Sequence, residues 1–219
     1  MSPVIGLMLP FVAGVALSPI PIAAVILMVL SLHPGIGGRV FVIGWALGLL
    51  LAVVVLSLVI GLLGLASEGR SGPARIVLGA LSLVFALERA TAGRGAGYDP
   101  DAPAWVAGLD RLPADRAFAM GVVQAALDPR KMLLIAAVAM VFTAAHLAPV
   151  ESVISALLFC VIGSLGVAAP LLVSRRAGSA GRARLEAART RLVEDNTTIQ
   201  AVTLLILGAL LVGQGLAGL

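Results

Sequence analysis

The chain contains 219 residues, of which 60% are hydrophobic and 12% are charged, and its formal net charge is +4. Soluble domains carry about 25% charged residues, and the mean hydropathy of this chain is +1.11. These values exclude a soluble enzyme, because the apolar stretches leave no room for a soluble catalytic domain. The sequence instead predicts an all-α integral membrane protein without enzymatic activity.

Six stretches of the chain are long and apolar enough to cross the bilayer, which takes about 20 residues. They are residues 7–31, 40–65, 74–91, 117–145, 151–174 and 197–217. The first stretch has no Lys or Arg before it and is too long for the core of a signal peptide. We therefore expect it to remain in the protein as the first membrane helix.

The basic residues are distributed unevenly between the two sides of these spans. Eleven of the 15 Lys and Arg residues fall in the connections after the first, third and fifth spans, including a basic amphipathic segment at 175–195. Two fall on the opposite side, and two lie within the fourth span. By the positive-inside rule, the richer side is cytoplasmic and both termini lie outside. The pI of about 10.5 is thus a topology signal and does not indicate nucleic-acid binding.

A four-residue motif occurs twice, 110 positions apart. Ala-Leu-Ser-Pro at 16–19 returns as Ala-Leu-Asp-Pro at 126–129, and each copy lies in the middle of an apolar stretch. Because an odd number of spans separates the copies, the two halves run in opposite directions across the bilayer. Such inverted repeats are typical of secondary transporters, whose substrate site lies near the midplane. We predict two three-helix repeats, 1–91 and 117–219, joined by a cytoplasmic linker at 92–116.

Prolines interrupt the first span at the first copy of the motif. Ser18, Pro19 and Pro21 lie in the middle of this span, and a proline removes a helical hydrogen bond and leaves a carbonyl without its donor. A packing kink is one explanation, since prolines are tolerated in membrane helices. The alternative is a local opening of the helix that contributes to a substrate or coupling site.

Charged residues surround the second copy of the motif. Asp128, Arg130 and Lys131 lie within the fourth span, and Gln124 precedes Asp128 by one helical turn. A charge at the centre of a membrane helix costs about 2.5 to 3.5 kcal/mol, so these groups should face a cavity or one another. Together with Pro129 they predict a broken helix that binds an anion or carries a coupling proton or cation. The structural alternative is that Asp128 only neutralises Arg130 or Lys131 and holds the break in shape.

Other chemistry is not indicated by the sequence. Cys160 is the only cysteine, so the chain cannot form an internal disulfide or transfer disulfides by a cysteine pair. His33 and His146 lie at the ends of the first and fourth spans, where isolated histidines are usually solvated. No phosphate-binding loop, Gly-x-Ser-x-Gly motif or metal-ligand motif occurs. We therefore expect no cofactor and no metal.

Four segments together resemble a known family. They are Ala-Leu-Ser-Pro-Ile-Pro at 16–21, Gly-Trp-Ala-Leu-Gly at 44–48, the stretch from Ala-Trp to Leu-Asp-Arg-Leu at 104–112, and Ala-Leu-Asp-Pro-Arg-Lys at 126–131. In this order they are similar to the peptidoglycolipid addressing protein (GAP) family, which includes sulfolipid-addressing proteins and belongs to the lysine exporter (LysE) superfamily. The family usually has Asn-Pro-Lys where this chain has Asp-Pro-Arg-Lys, so this chain carries an additional carboxylate.

The resemblance implies a six-helix fold of two inverted repeats in the bacterial inner membrane, and a function in moving cell-envelope glycolipids, peptidoglycolipids or their precursors. Relatives in the superfamily export amino acids or cations, so a proton-coupled exporter of a small solute is an alternative. A non-transporting scaffold of a larger lipid-export machine is a third. The partners implied are membrane lipids, a lipid or glycolipid cargo and, for the scaffold, the export machinery. The sequence also leaves open whether the protein assembles into a homo-oligomer.

Overall fold

The computed structural model describes residues 2–31, 36–92, 112–176 and 178–219. These described residues form nine α-helices and no β-strand. The helices are α1 (Ser2–Ala16), α2 (Pro19–Leu30), α3 (Gly37–Leu62), α4 (Ser71–Ala92), α5 (Ala114–Ala126), α6 (Pro129–Ala144), α7 (Pro149–Arg176), α8 (Gly178–Glu194) and α9 (Asn196–Leu216). His33 and most of the predicted linker, residues 93–111, lie outside the described residues.

Four of the helices are long and apolar enough to cross a membrane, namely α3, α4, α7 and α9. α1 and α2 bend by 51° at the break between them and together would form a fifth span. α5 has 13 residues and α6 has 16, so neither alone reaches the length of about 20 that the hydrocarbon requires. The described chain therefore has four to five candidate spans, and a sixth at 117–145 stays a prediction.

The outer surface of the helical bundle is apolar. Leu47, Leu51, Val55 and Leu58 are exposed along α3, and Leu62 at its end is 87% exposed. Soluble monomers rarely expose an apolar surface of this extent, whereas the hydrocarbon of a bilayer solvates such side chains. Together with the candidate spans, this surface identifies a multi-pass membrane protein.

Glycines bring α4 and α9 into close contact. A Cβ on Gly79 would lie 2.7 Å from the carbonyl oxygen of Gly208, and a Cβ on Gly208 would lie 3.0 Å from the carbonyl oxygen of Gly79. Gly72 and Gly215 meet in the same reciprocal way at the other end of the pair. Since lipid supplies little hydrophobic drive for helix association, small residues that allow backbones to approach are the usual membrane interface.

Close packing of the same kind holds α3 against α5. A Cβ on Gly48 would lie 2.7 Å from the carbonyl oxygen of Val122 on α5. Gly44 of α3 and Gly121 of α5 also face the partner backbone without room for a side chain. This contact fixes the position of α5 and therefore of the chain break that follows it.

The basic segment predicted at 175–195 contains α8, which lies against α2 and α7. Leu185 of α8 is buried, and Arg191 is exposed. Arg182 donates from Nη2 to the carbonyl oxygen of Leu30, the last residue of α2, at 3.0 Å. α8 therefore holds the end of α2 that lies away from the chain break.

The glycine contact of α4 with α9 generates a stability prediction. Gly79→Ala should lower the thermal unfolding midpoint in detergent micelles, because its Cβ must displace backbone of α9 and overpacking costs about 1 to 3 kcal/mol. Gly213→Ala is the matched control, since nothing lies within 4 Å of its added Cβ and alanine favours helix. Equal midpoints for the two variants would contradict the proposed packing.

Candidate functional site

The two copies of the repeated motif adopt the same backbone conformation. Ser18 has φ −65° and ψ 112°, and Asp128 has φ −77° and ψ 113°. Both are extended because each precedes a proline, which disfavours the helical region for its neighbour. Pro19 and Pro129 then occupy the first positions of α2 and α6, where a missing N–H costs nothing. The motif therefore ends one helix and begins the next at both places.

The polar residue of each motif satisfies a different side of its break. Ser18 donates from Oγ to the carbonyl oxygen of Val15 at 2.8 Å, so it satisfies the end of α1. The carboxylate of Asp128 accepts from the backbone N–H of Arg130 at 3.1 Å, so it caps the start of α6. The serine motif leaves a neutral break, and the aspartate motif introduces charge.

Lys131 neutralises Asp128 and completes the second break. Its Nζ lies 2.8 Å from Oδ2 of Asp128 and 5.1 Å from the centroid of the Trp45 ring, within the range of a cation–π contact. It also donates to the carbonyl oxygen of Gln124 at 3.2 Å. In a continuous helix that carbonyl would accept from the amide of Asp128, so the ammonium group replaces the bond that the break removes.

Arg130 is held by a neutral partner. Its Nη1 donates to Oε1 of Gln200 at 3.0 Å, and Nε2 of Gln200 donates to Oδ1 of Asn196 at 2.8 Å. Within the described part of the chain, Lys131 with Asp128 is the ion pair at this break, and Arg130 has no carboxylate partner. The three charged groups therefore leave one net positive charge.

These groups line a small cavity of about 40 Å³ between the two breaks. Its walls include Ser18, Pro19 and Pro21 from the first motif and Asp128, Arg130 and Lys131 from the second. Ile199, Gln200 and Thr203 of α9 complete it. The structure thus brings the two motifs together.

Two predicted site residues lie just outside this cavity. Pro129 shapes the break without lining the cavity, and Gln124 contributes its backbone carbonyl to Lys131. The side-chain Oε1 of Gln124 is buried and has no hydrogen-bond partner among the described residues.

The electrostatics of the cavity favour an anion. The first residues of α2 and α6 and the first two turns of α9 line it, and a helix N-terminus carries about half a positive elementary charge. The net charge of Arg130 adds to this field in a bundle whose other walls are apolar. Oriented N-termini of broken helices bind anionic groups in known membrane transporters.

Two residues of this site were missed by the sequence analysis. Gln200 lies inside the sixth apolar stretch, and a polar side chain at that depth was a signal that could have found it. Trp45 was considered only as part of the Gly-Trp-Ala-Leu-Gly segment at 44–48. It is fully buried, and its Nε1 donates to the carbonyl oxygen of Gly163 at 3.4 Å, which holds the ring beside Lys131.

The remaining polar candidates lie elsewhere. His146 follows α6 with a positive φ of 43° and is exposed. Cys160 is buried and free. Among the residues that the structure describes, no three His, Cys, Asp or Glu side chains come together in a group that could hold a metal ion.

The ion pair at the second break generates a prediction about stability. Lys131→Met should lower the free energy of unfolding by about 3 to 5 kcal/mol, because it leaves the carboxylate of Asp128 without its partner. Asp128→Asn in the same chain should recover most of this loss, since the amide oxygen still accepts from Arg130 N–H. Chemical unfolding in micelles measures both. If the double variant Lys131→Met with Asp128→Asn is no more stable than Lys131→Met alone, the destabilisation does not come from an unpaired Asp128 carboxylate.

Comparison with known proteins identifies the family of this chain. No curated protein and no solved structure matches it. The model of one family, SfLAP, described as "Sap, sulfolipid-1-addressing protein", matches residues 8–217, a range that includes both chain breaks. This match confirms the resemblance carried by the sequence motifs. The chain belongs to the sulfolipid-1-addressing protein family.

Proposed function

We propose that the protein is a membrane transporter, or a transport accessory, for anionic cell-envelope glycolipids, peptidoglycolipids or their precursors, and that it is a carrier and not an enzyme. The observation that carries this proposal is the net positive cavity between the two breaks, lined by Arg130 and the starts of three helices. An anionic headgroup is the part of such a lipid that this field would stabilise in an apolar bundle.

The family supports the same class of cargo. The name of the family refers to a sulfolipid, and the sulfate or sulfonate of a sulfolipid is a permanent anion. In the proposed complex, the headgroup anion accepts hydrogen bonds from the guanidinium of Arg130 and lies near the positive end of the α6 dipole. Membrane lipids are therefore both the surroundings and the cargo of the protein.

Helix contacts support two inverted repeats of the kind found in the LysE superfamily. The proposed twofold axis relates α1 and α2 to α5 and α6, α3 to α7, and α4 to α9. α3 contacts α7, α4 contacts α9 and α1 contacts α6, and α3 packs on α5 and α6 as α7 packs on α1 and α2. The reciprocal glycine contacts of α4 with α9 have the same symmetry. In this arrangement, α5 and α6 together form the predicted span at 117–145, which brings the total to six spans.

The charge distribution supports an orientation with both termini outside the bacterial inner membrane. In a Cys160→Ala background, Glu68→Cys between α3 and α4 should react with an impermeant thiol reagent in intact cells. Ala183→Cys in α8 should react only after permeabilisation. Both positions are exposed, so accessibility within the fold does not decide the result. Labelling of Ala183→Cys in intact cells would reverse the proposed orientation.

A proton-coupled exporter of a small solute is the second candidate, and the volume of the cavity favours it. About 40 Å³ holds a few water molecules, whereas ligand pockets measure about 300 to 1,000 Å³. For a lipid headgroup, the cavity must widen by separation of α2 from α6. A small cation would be bound by the carboxylate of Asp128, which would first have to break its ion pair with Lys131.

Gene deletion with lipid profiling of the envelope tests the proposed function. Deletion should deplete one anionic glycolipid class from the outer envelope and enrich it or its precursor in the inner membrane. The wild-type gene and Arg116→Gln should restore the profile, whereas Arg130→Gln should not at equal membrane level. Loss of one charge-assisted contact costs about 1.5 to 3 kcal/mol, which predicts a defect of at least tenfold.

Arg116 is a matched control because it is exposed and does not line the cavity. A lipid profile unchanged by deletion would contradict the lipid proposal and favour a small-solute exporter. Restoration of the profile by Arg130→Gln would contradict the assigned anion site.

A further inference from the structure

A second and much larger recess lies on another side of α6. It measures about 490 Å³ and is bounded by α3, α6 and α7. Its walls are almost entirely apolar and include Leu50, Val54, Leu58, Phe142, Val153 and Leu157. We call this recess the lateral groove. Its volume falls in the range of about 300 to 1,000 Å³ that ligand pockets occupy.

The lateral groove opens toward the hydrocarbon of the bilayer. Val54 and Leu58 on α3 and Val153 and Leu157 on α7 are exposed at its rim, and both helices are candidate membrane spans. Water is excluded from an apolar recess at this depth, and an empty recess would forfeit dispersion contacts along its walls. A flexible hydrocarbon chain from the bilayer is the occupant that matches both walls and surroundings.

A hydroxyl group without a partner lies within the groove. The Oγ of Ser57 is buried and makes no hydrogen bond with any described residue. The neighbouring hydroxyl of Thr143 has the carbonyl oxygens of Ala139 at 2.8 Å and of Ser57 at 3.4 Å as acceptors, and it makes no hydrogen bond with the hydroxyl of Ser57. A buried donor without an acceptor is costly unless a ligand supplies one. An ester carbonyl or a hydroxyl on a lipid chain has the required chemistry.

We propose that the lateral groove binds an acyl chain of the transported lipid and that the Ser57 hydroxyl, turned toward the groove by rotation of its side chain, donates a hydrogen bond to an oxygen substituent along that chain. This inference rests on the lipid function proposed above and assigns the part of the lipid that the positive cavity is too small to hold. A second copy of the protein is a poorer occupant, because a packed helix presents a convex ridge that would leave the depth of the groove unfilled.

Photolabelling by lipids with a diazirine on the acyl chain tests the proposal. Phosphatidylglycerol and phosphatidylcholine probes with identical ester-linked chains would be incorporated into nanodiscs with the full chain, and labelled peptides would be mapped. We expect labelling concentrated at 50–58 and 152–157. Val54→Trp should lower it at least fivefold for both probes, because the indole occupies the groove. Leu157→Trp, on the opposite wall, should do the same.

Val55→Trp is the control for the first variant. Val54 is 44% exposed and Val55 is 53% exposed, they are adjacent on α3, and Val55 does not line the groove. Its labelling should equal that of the wild type. Equal labelling of the Val54→Trp and Val55→Trp variants would overturn the proposal, because it would identify ordinary annular lipid. Crosslinked dimers through the same peptides would overturn it in favour of a second copy.

A Ser57→Ala variant separates the hydroxyl from the shape of the groove. It should reduce labelling by a probe with a hydroxyl group in its acyl chain two- to tenfold, the usual range for one net hydrogen bond, and leave labelling by a probe with an unsubstituted chain unchanged. An unchanged ratio of the two probes would overturn the role of Ser57.

The comparison of headgroups keeps the two proposals distinct. Preference for phosphatidylglycerol over phosphatidylcholine that disappears in Arg130→Gln reports on the positive cavity. Loss of labelling by both probes in Val54→Trp reports on the groove. Labelling of the groove without any headgroup preference would support acyl-chain binding in the groove and contradict the proposed anion site.

Discussion

The hydrocarbon interior forces every backbone polar group to find a partner within the protein, and two proline breaks violate this requirement at their own positions. At the first break a single neutral side chain provides the partner, because the hydroxyl of Ser18 donates to one carbonyl oxygen at the end of α1. At the second break it uses charge, since Asp128 caps α6 and Lys131 reaches back to the last turn of α5. Satisfying the backbone thus brings ionised groups into the middle of the bundle.

This solution makes the two halves of the chain chemically unequal. A carboxylate at position 128 needs a cation nearby, and Lys131 supplies it. Arg130 is then left over as an uncompensated charge, held by Gln200 from α9. A neutral residue at 128 would raise the net charge of the three groups from +1 to +2, so the carboxylate of Asp128 reduces the positive charge of the cavity without removing it. The electrostatic field at the second break is therefore set by the three charged residues of one motif.

The sequence predicted the breaks well because they are local. A residue before proline is extended and a proline fits the first turn of a helix, so Ser18 and Asp128 could be assigned without any knowledge of tertiary contacts. The partners of the charged groups could not be predicted in this way. Gln200 lies 70 residues from Arg130, and only the packing of α9 brings them together. The lateral groove was equally invisible, since hydropathy gives Val54 and Val55 the same character and only the positions of α6 and α7 distinguish them.

α6 links the two surfaces that an amphipathic lipid would need. It begins at the positive cavity and reaches the lateral groove at Phe142, 12 residues after Arg130, which corresponds to about 18 Å of helix. In the proposed orientation, the charged end of α6 lies toward the cytoplasm and the apolar end toward the outside. A lipid of the inner leaflet presents its headgroup and chains in that same order. The headgroup would therefore bind the cavity, and the acyl chains would lie along the groove, before the lipid turns over between leaflets. The step with the highest free-energy cost would then be the movement of the anionic headgroup past the second break. Widening there requires motion of α2, whose far end is tied to α8 by Arg182.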